Sequence, residues 1–460
     1  MRDTFQNVLM RKVWAYPKGY SERKCLLQQK RKEETSMELL EEILSNENMN
    51  NAYKQVYRNK GASGIDGIPI EDLAYHLRKN KDEIRNQIRK RKYKPMPALR
   101  VEIPKDNGKT RKLGIPTVVD RVIQQAISQK LSPIFEQQFS EYSFGFRPRR
   151  SCEQAVVKAL EFINDGYTWL IDIDLERFFD TVHHDKLMRI ISHTITDGDV
   201  ISLIRKYLTS GVMVNGKHEA TSVGTPQGGN LSPLLSNIML NELDKELEAR
   251  NLHFVRYADD SIIFVKSEKA ANRVMKSVTH FIEKKLGLIV NAEKSRISRP
   301  GNIKFLGFGF YYDAHTKKYR PRVHQESVHK FQRKLKQLTK RNQGISLNNR
   351  IIKLKQVIYG WVNYFKIAKM KSILTNIDAK LRSRIRVIIW KQWKSNKRRI
   401  KSLIQLGIPK EEAKGLTYCR KGYRFIGLSK VVHRALSNKR LKQRGIPFAL
   451  DYYLEVHTEI

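Results

Sequence analysis

Two pairs of aspartates carry the chemistry this chain has to offer. Asp259 and Asp260 are adjacent and interrupt two apolar, β-prone runs, with Phe254, Val255 and Tyr257 before them and Ile262, Ile263, Phe264 and Val265 after them. Such runs favour strands, so residues 258–261 are predicted as a tight hairpin turn that pushes both carboxylates outward. Neighbouring carboxylates repel each other, and a site that keeps both ionised usually holds a cation. Mg²⁺ suits best, because it takes hard oxygen ligands from one or two carboxylates and from substrate phosphates. For the pair alone a solvated surface turn is the competing reading, since Asp is a good turn residue. The second pair weighs against it. Leu170, Ile171, Ile173 and Leu175 make a strand whose alternation places Asp172 and Asp174 on one face. Two acids on an otherwise apolar strand are expensive to bury unless they meet a cation. An Asp strand beside an Asp-Asp hairpin, with helices on the other face, is an antiparallel α+β arrangement. It can bring three acids together, as two-metal phosphoryl transfer requires.

Other segments must position a substrate around those acids. Residues 99–116 form a predicted hairpin turning at Asp106-Asn107-Gly108, with Lys105, Lys109, Arg111 and Lys112 crowding its tip. A cationic tip can clamp a triphosphate, or can serve only solubility and generic RNA binding. Residues 224–237 join a Gly/Pro turn to an apolar helix, and Gln227 there offers an amide to a sugar or base. The Gly-rich basic loop 58–67, with Lys60, can approach phosphates or act as a plain connector. After a helical run over 120–139, residues 143–156 interleave aromatic and basic side chains. Phe144 and Phe146 are expected to pack in the core, Arg147, Arg149 and Arg150 to meet phosphates, and Ser151 with Gln154 to form a capping box. Ser36 is a candidate cap for a helix ending at Leu44, and Asp180 or Asp185 for the helix announced by DTVHHD, whose His183 and His184 are read as non-ligands. Residues 267–286 form an amphipathic helix, and 303–312 a strand hairpin in which Gly307 and Gly309 admit a close backbone. Beyond Gln325 the pattern turns to long basic helices, placing a domain boundary near Arg320.

Composition sets the wider frame. A chain of 460 residues is too long for one core and predicts about two to four domains. Lys+Arg 88 against Asp+Glu 46 gives a formal charge of +42, an excess that repels itself unless a polyanion neutralises it. Nucleic acid is therefore the expected partner, bound less tightly as salt rises. No apolar run approaches the ~20 residues of a membrane span, and the N-terminus lacks an adequate signal-peptide core, so a cytoplasmic protein without a membrane partner is expected. Cys25, Cys152 and Cys419 are far apart, which supports neither a disulfide framework nor a cysteine zinc site.

LIDIDLERFFD, GTPQGGNLSPLLSN, YADD, NAEKS and FLGFGF resemble, in this order, the successive motifs of a reverse transcriptase palm. GASGIDG, FGFRPRRS and IYGWVNYF are similar to segments of group II intron-encoded maturases, and the resemblance covers residues 51–365. It implies a right-hand polymerase of the α+β class, with fingers and palm on antiparallel sheet followed by an α-helical thumb, the maturase domain X. Residues 1–165 would be N-terminal extension and fingers, 166–315 palm, 316–415 thumb, and 416–460 a short basic segment that is a candidate for DNA binding. In the family the metal-binding Asp precedes the aromatic sugar gate by five residues. Asp174 stands so before Phe179, whereas Asp172 stands so before Arg177.

The resemblance thus assigns Asp174, Asp259 and Asp260 as the catalytic, metal-holding acids, for two Mg²⁺ ions with Mn²⁺ as a substitute. Phe179 resembles the gate against a ribose 2′-OH, Lys105 and Arg111 triphosphate contacts, and Gln227 a nucleotide or template contact. Lys294 corresponds to a proton donor or phosphate contact, and Phe305, Leu306, Gly307 and Phe308 to the primer grip. Lys60, Arg147, Arg149, Arg150, Lys355, Lys391 and Lys394 are the expected nucleic-acid contacts. Implied partners are intron RNA, an RNA template with its DNA primer, target DNA and dNTPs. The function implied is RNA-directed DNA synthesis with assistance to splicing and retrohoming. A splicing factor using the fold as scaffold, and a defence or diversity-generating enzyme, are the alternatives. With only Cys419 beyond the thumb, the resemblance is to the form lacking an HNH endonuclease, and insertion into single-stranded or already exposed DNA is expected.

Overall fold

The computed structural model describes residues 39–458 except 105–107, 109, 226 and 227. Ser36, Lys105 and Gln227 therefore lie outside the described residues. The chain divides into two compact units, Met1–Ala155 with Tyr167–Ser298, and Val156–Gly166 with Arg299–Ile460. The division falls at Arg299, ahead of Arg320, because the hairpin that contains Arg320 belongs with the second unit.

In the first unit, β1 (Ala98–Pro104) and β2 (Thr110–Ile115) form the expected antiparallel hairpin, in register from Leu99↔Ile115 to Pro104↔Thr110. Next come β3 (Trp169–Ile173), β4 (Val212–Val214), β5 (Lys217–Glu219), β6 (His253–Tyr257), β7 (Asp260–Val265) and β8 (Arg296–Ser298). They complete two four-stranded sheets, ordered β2-β1-β4-β5 and β6-β7-β3-β8. The second is antiparallel throughout. The first is mixed, because β4 returns after a long crossover and pairs parallel with β1.

The sheet β6-β7-β3-β8 exists for an elementary reason. The runs Leu170-Ile171 and Ile262-Ile263-Phe264 are buried, and only a sheet with helices on its face covers them while pairing every peptide group. The helices Ser232–Ala249 and Glu268–His280 pack against its strands; the first buries Leu234, Leu235, Ile238, Met239, Leu243 and Leu247. The amphipathic segment expected over 267–286 is the helix Glu268–His280, capped by Ser267, running into a π-turn over Phe281–Leu286. The capping box at Ser151 forms as read, with Ser151 N donating to Gln154 Oε1 at 2.8 Å and Gln154 N to Ser151 Oγ at 3.2 Å.

In the second unit, β9 (Phe308–Asp313) and β10 (Lys318–Val323) make an antiparallel hairpin. Long helices follow at Gln325–Leu338, Leu347–Phe365 and Lys371–Gln392, then shorter ones to Ala449–Val456. The C-terminal basic segment is folded rather than a loose tail. Buried Asp378 accepts from the backbone of Ala449 and Leu450, both at 2.9 Å, and so supports the first turn of the last helix.

Candidate active site

The register of β3 against β7 brings the acids together. Ile173 faces Ser261, so one step further the chain sets Asp174 across from Asp260. The β6–β7 hairpin closes at Tyr257↔Asp260, one residue earlier than the sequence suggested, which leaves Ala258 and Asp259 as the two turn residues and makes Asp260 the first residue of β7. Ala258 is held at φ +58. A two-residue hairpin turn needs that sign at its first position, and glycine normally supplies it. Asp259 is thereby presented at the tip.

The NAEKS stretch clamps Asp174. Asn291 N donates to Asp174 O at 2.8 Å, Asp174 N donates to Ser295 Oγ at 3.1 Å, and Lys294 Nζ donates to both carboxylate oxygens at 3.0 and 3.2 Å. Asn291 and Ser295 were not singled out in the sequence, although both stand within four residues of a lysine that was. Asp172, on the same strand face, lies 3.8 Å from Arg296 instead.

Electrostatics mark this cluster as short of positive charge. Asp260 is exposed, yet its carboxyl is pushed up to about 6 by the surrounding protein and then by Asp259, Asp172 and Asp174, against Lys294. Asp172 is likewise raised to about 6, chiefly by burial, opposed by Arg296 and reinforced by Asp174. For exposed Asp260 the repulsion among the acids is the firmer of the two causes, since solvent moderates burial there. These donors are all carboxylate oxygens, which fit a hard divalent cation in kind. Among the described residues no three acidic, His or Cys side chains already converge to hold an ion; Lys294 occupies Asp174 in its stead.

Asp174, Asp259, Asp260, Arg111, Phe179 and Lys294 line a single cleft of about 980 Å³. Arg100, Lys112, Arg177 and Asp180 line it too. Arg100 was missed by sequence reading, because on β1 it looks like one more strand charge; its guanidinium lies 4.0 Å from Asp180. Phe179 is fixed through its backbone, as Thr225 N donates to Phe179 O at 2.6 Å and Gly224 N to Val182 O at 2.7 Å. At Gly224, φ +91, an added Cβ would stand 3.0 Å from both Phe179 O and Asp180 O, so glycine alone allows that approach. His184 is structural as expected, being buried with its Nε2–H donating to Gly224 O at 2.6 Å.

Other expectations fare differently. Arg147 is no phosphate contact: its side chain is 4% exposed and pairs with Glu136, while Nη1 donates to the Ser140 and Ser143 carbonyls. Phe144 packs as read, but Phe146, with φ +58, is 55% exposed. Arg150 donates to Glu141 O and covers the Phe144 ring, which leaves Arg149 and Lys60 exposed. Residues 305–308 form a tight turn in the second unit, with Leu306 at φ +50 and Gly307 at +81. There Tyr364 Oη donates to Leu306 O, Ser327 Oγ donates to Gly307 O, and Phe305 and Phe308 are buried. Lys355, Lys391 and Lys394 are exposed. Lys391 lines a groove of about 1170 Å³ within the second unit, together with Lys336, Lys340, Arg341, Lys380, Arg384 and Arg424.

Comparison with known proteins adds the following. Residues 103–310 match the model of the family described as "Reverse transcriptase (RNA-dependent DNA polymerase)", and residues 328–405 that of "Group II intron, maturase-specific domain". The chain is 36% identical over 279 residues to Protein YkfC of Escherichia coli, spanning 52% of this chain and 73% of that protein. It is 37% identical over 235 residues to the group II intron-encoded protein LtrA of Lactococcus lactis subsp. cremoris, spanning 51% of this chain and 38% of that protein. A putative COX1/OXI3 intron 2 protein of Saccharomyces cerevisiae is 29% identical over 321 residues, 56% of this chain and 37% of that protein. The chain thus spans well under half the length of the last two.

Proposed function

The chain belongs to the family of group II intron reverse transcriptases and maturases, and from that premise we propose that it copies RNA into cDNA at the Asp174–Asp259–Asp260 cleft and binds intron RNA. Divalent-metal dependence comes with the family. In this reading Asp174, Asp259 and Asp260 hold two Mg²⁺ ions, for which Mn²⁺ can substitute. The bound metal supplies activation of the primer 3′-hydroxyl and charge neutralisation on the departing pyrophosphate.

The chain's own residues do the rest. Arg100, Arg111 and Lys112 draw in the triphosphate, the arginines through paired donors that match phosphate geometry. Phe179 fills the space a ribose 2′-OH would need and so selects dNTPs. Lys294 holds Asp174 at rest and is free to turn to phosphate when cation charge replaces it. One observation carries the reading: six residues chosen from four separate sequence motifs line one cleft. Primer extension on an RNA template with Mg²⁺, comparing wild type with Asp259→Ala, is the test. Undiminished synthesis by the variant removes the assignment.

A second reading has its own support. The seven cations of the groove in the second unit stand without any Asp or Glu among its described lining residues, which suits a phosphate backbone. Under this reading the chain assists splicing of its intron as an RNA-binding factor. Splicing assistance should then survive Asp174→Ala and Asp259→Ala. Retrohoming into target DNA, with the segment 416–460 as a DNA contact, combines the two activities and calls for a cytoplasmic location. No helix among the described residues is long and apolar enough to cross a membrane.

A further inference from the structure

We infer that a buried set of three side chains, Asp244, Arg256 and Asn237, positions Asp259 by gripping the turn that presents it. This rests on the reading of Asp259 as a metal-holding acid. The set lies outside the cleft and is among the least accessible polar groups of the first unit: the Arg256 and Asp244 side chains are 1% and 0% exposed. Arg256 Nε donates to Asp244 Oδ1 at 2.8 Å and Oδ2 at 3.0 Å, and Nη2 donates to Oδ2. The remaining nitrogen, Nη1, donates at 3.0 Å to Asn237 Oδ1 and at 3.0 Å to the carbonyl of Ala258. Asn237 Nδ2 in turn donates at 2.9 Å to Gly145 O.

That wiring meets the catalytic turn from two sides. Ala258 holds a positive φ that residues with a Cβ rarely adopt, and such a conformation persists only where neighbouring groups over-determine it. Arg256 fixes its carbonyl. On the other side, a Cβ added to Gly145 would stand 2.2 Å from Ala258 N, so the 143–145 segment lies against the same peptide. The segment is itself held to β6, with Arg256 N donating to Tyr142 O and Phe144 N to Arg256 O, both at 2.9 Å. Asn237 ties this segment and Arg256 together.

Stability alone is a poor reason for such a pair. Well-packed apolar residues usually serve a core as well as a buried ion pair does, whereas a rigid fork with an anchored counter-ion defines one orientation. Asp244 anchors Arg256, Arg256 and Asn237 anchor the turn, and the turn aims Asp259. None of the three touches substrate, so they are positioning residues.

The test uses the full-length chain. Mn²⁺ binding without substrate is followed by electron paramagnetic resonance, and primer extension on an RNA template is measured with first-turnover burst amplitude to count active molecules. Asn237→Ala and Arg256→Lys should each weaken Mn²⁺ binding about 10-fold or more and lower kcat per active molecule about 10- to 100-fold, with the KM for primer–template unchanged. Adding Ala258→Gly to Asn237→Ala, which lets the turn take positive φ without support, should restore several-fold of the loss. A purely structural role predicts fewer active molecules with wild-type Mn²⁺ affinity and wild-type kcat each, and no rescue by glycine; that pattern overturns the inference. Asp259→Ala is the control. If it alters neither Mn²⁺ binding nor synthesis, the premise about Asp259 fails and the inference falls with it; if it alters both while Asn237→Ala alters neither, only the positioning role fails.

Discussion

The cleft of the first unit and the groove of the second are similar in volume and opposite in charge design. In the cleft, acids sit among cations: Asp174, Asp180, Asp259 and Asp260 share the lining with Arg100, Arg111, Lys112, Arg177 and Lys294. In the groove the charged lining is all Lys and Arg. A surface of one sign can hold a polyanion by displacing its counterions, and needs no exact geometry for it. A surface of both signs repels the same polyanion locally unless further cations enter, and at Asp260 the neighbouring acids Asp259, Asp172 and Asp174 add to burial in raising the carboxyl. The groove is therefore suited to holding nucleic acid and the cleft to acting on it.

Separating those two capacities by mutation is the way to break the comparison. The largest effect is expected at Asp259. Its replacement by Ala should lower single-nucleotide addition about 10³-fold, since metal-assisted charge stabilisation is worth several kcal/mol, and should leave RNA affinity as it was in a filter-binding assay. Loss of RNA binding in this variant would show that the cleft also carries affinity. Next in size is Phe179→Ala, which should admit ribonucleotides about 10- to 100-fold more readily in competition assays, the range typical of steric discrimination in a pocket. Unchanged selection would take Phe179 out of the gate role.

Smaller in effect is the removal of groove charge. A Lys336→Ala, Lys340→Ala, Lys391→Ala triple variant should reduce the slope of log K against log salt by about 2 to 3, with kcat at saturating template preserved. If the slope stays, the groove does not meet phosphate. The smallest effect concerns pH. Burial lowers the pKa of His184, so the folded state favours the neutral ring while the unfolded chain takes up a proton near pH 6.5. Its contribution is present above that pH and is lost as pH falls below it and through the lower folded-state pKa. Thermal melts from pH 7.5 down to 5.5 should show a steeper fall in Tm for wild type than for His184→Gln, which keeps an amide donor for Gly224.

Two ion pairs within the first unit show where sequence reading ran out. Lys294–Asp174 has partners 62% and 30% exposed, whereas Arg256–Asp244 is essentially sealed. In the sequence, Asp174 stood out because two acids broke an apolar strand. Asp244 did not, since a helix rich in Asp and Glu gives no sign of which acid faces inward. The 143–150 stretch shows the same limit, because three arginines of similar appearance met three fates. Arg147 is buried on carbonyls, Arg150 lies half-buried against a ring, and Arg149 is exposed.

What the sequence determined by itself was much of what depends on local period and residue type. That includes the strand β3 and the β6–β7 hairpin, the face shared by Asp172 and Asp174, the hairpin of β1 and β2, and the Ser151 capping box, though not the cap expected at Asp180 or Asp185, since His183 precedes that helix. Tertiary structure alone decided which of these found partners across long separations. Asp174 took Lys294, 120 residues away, while Asp172 lay towards Arg296. Asn237 reached Gly145, 92 residues away, and Arg147 was turned inward. The reason is physical: periodicity fixes the direction of a side chain relative to its own strand or helix, whereas the charge or carbonyl it meets is set by the topology that folds distant segments together.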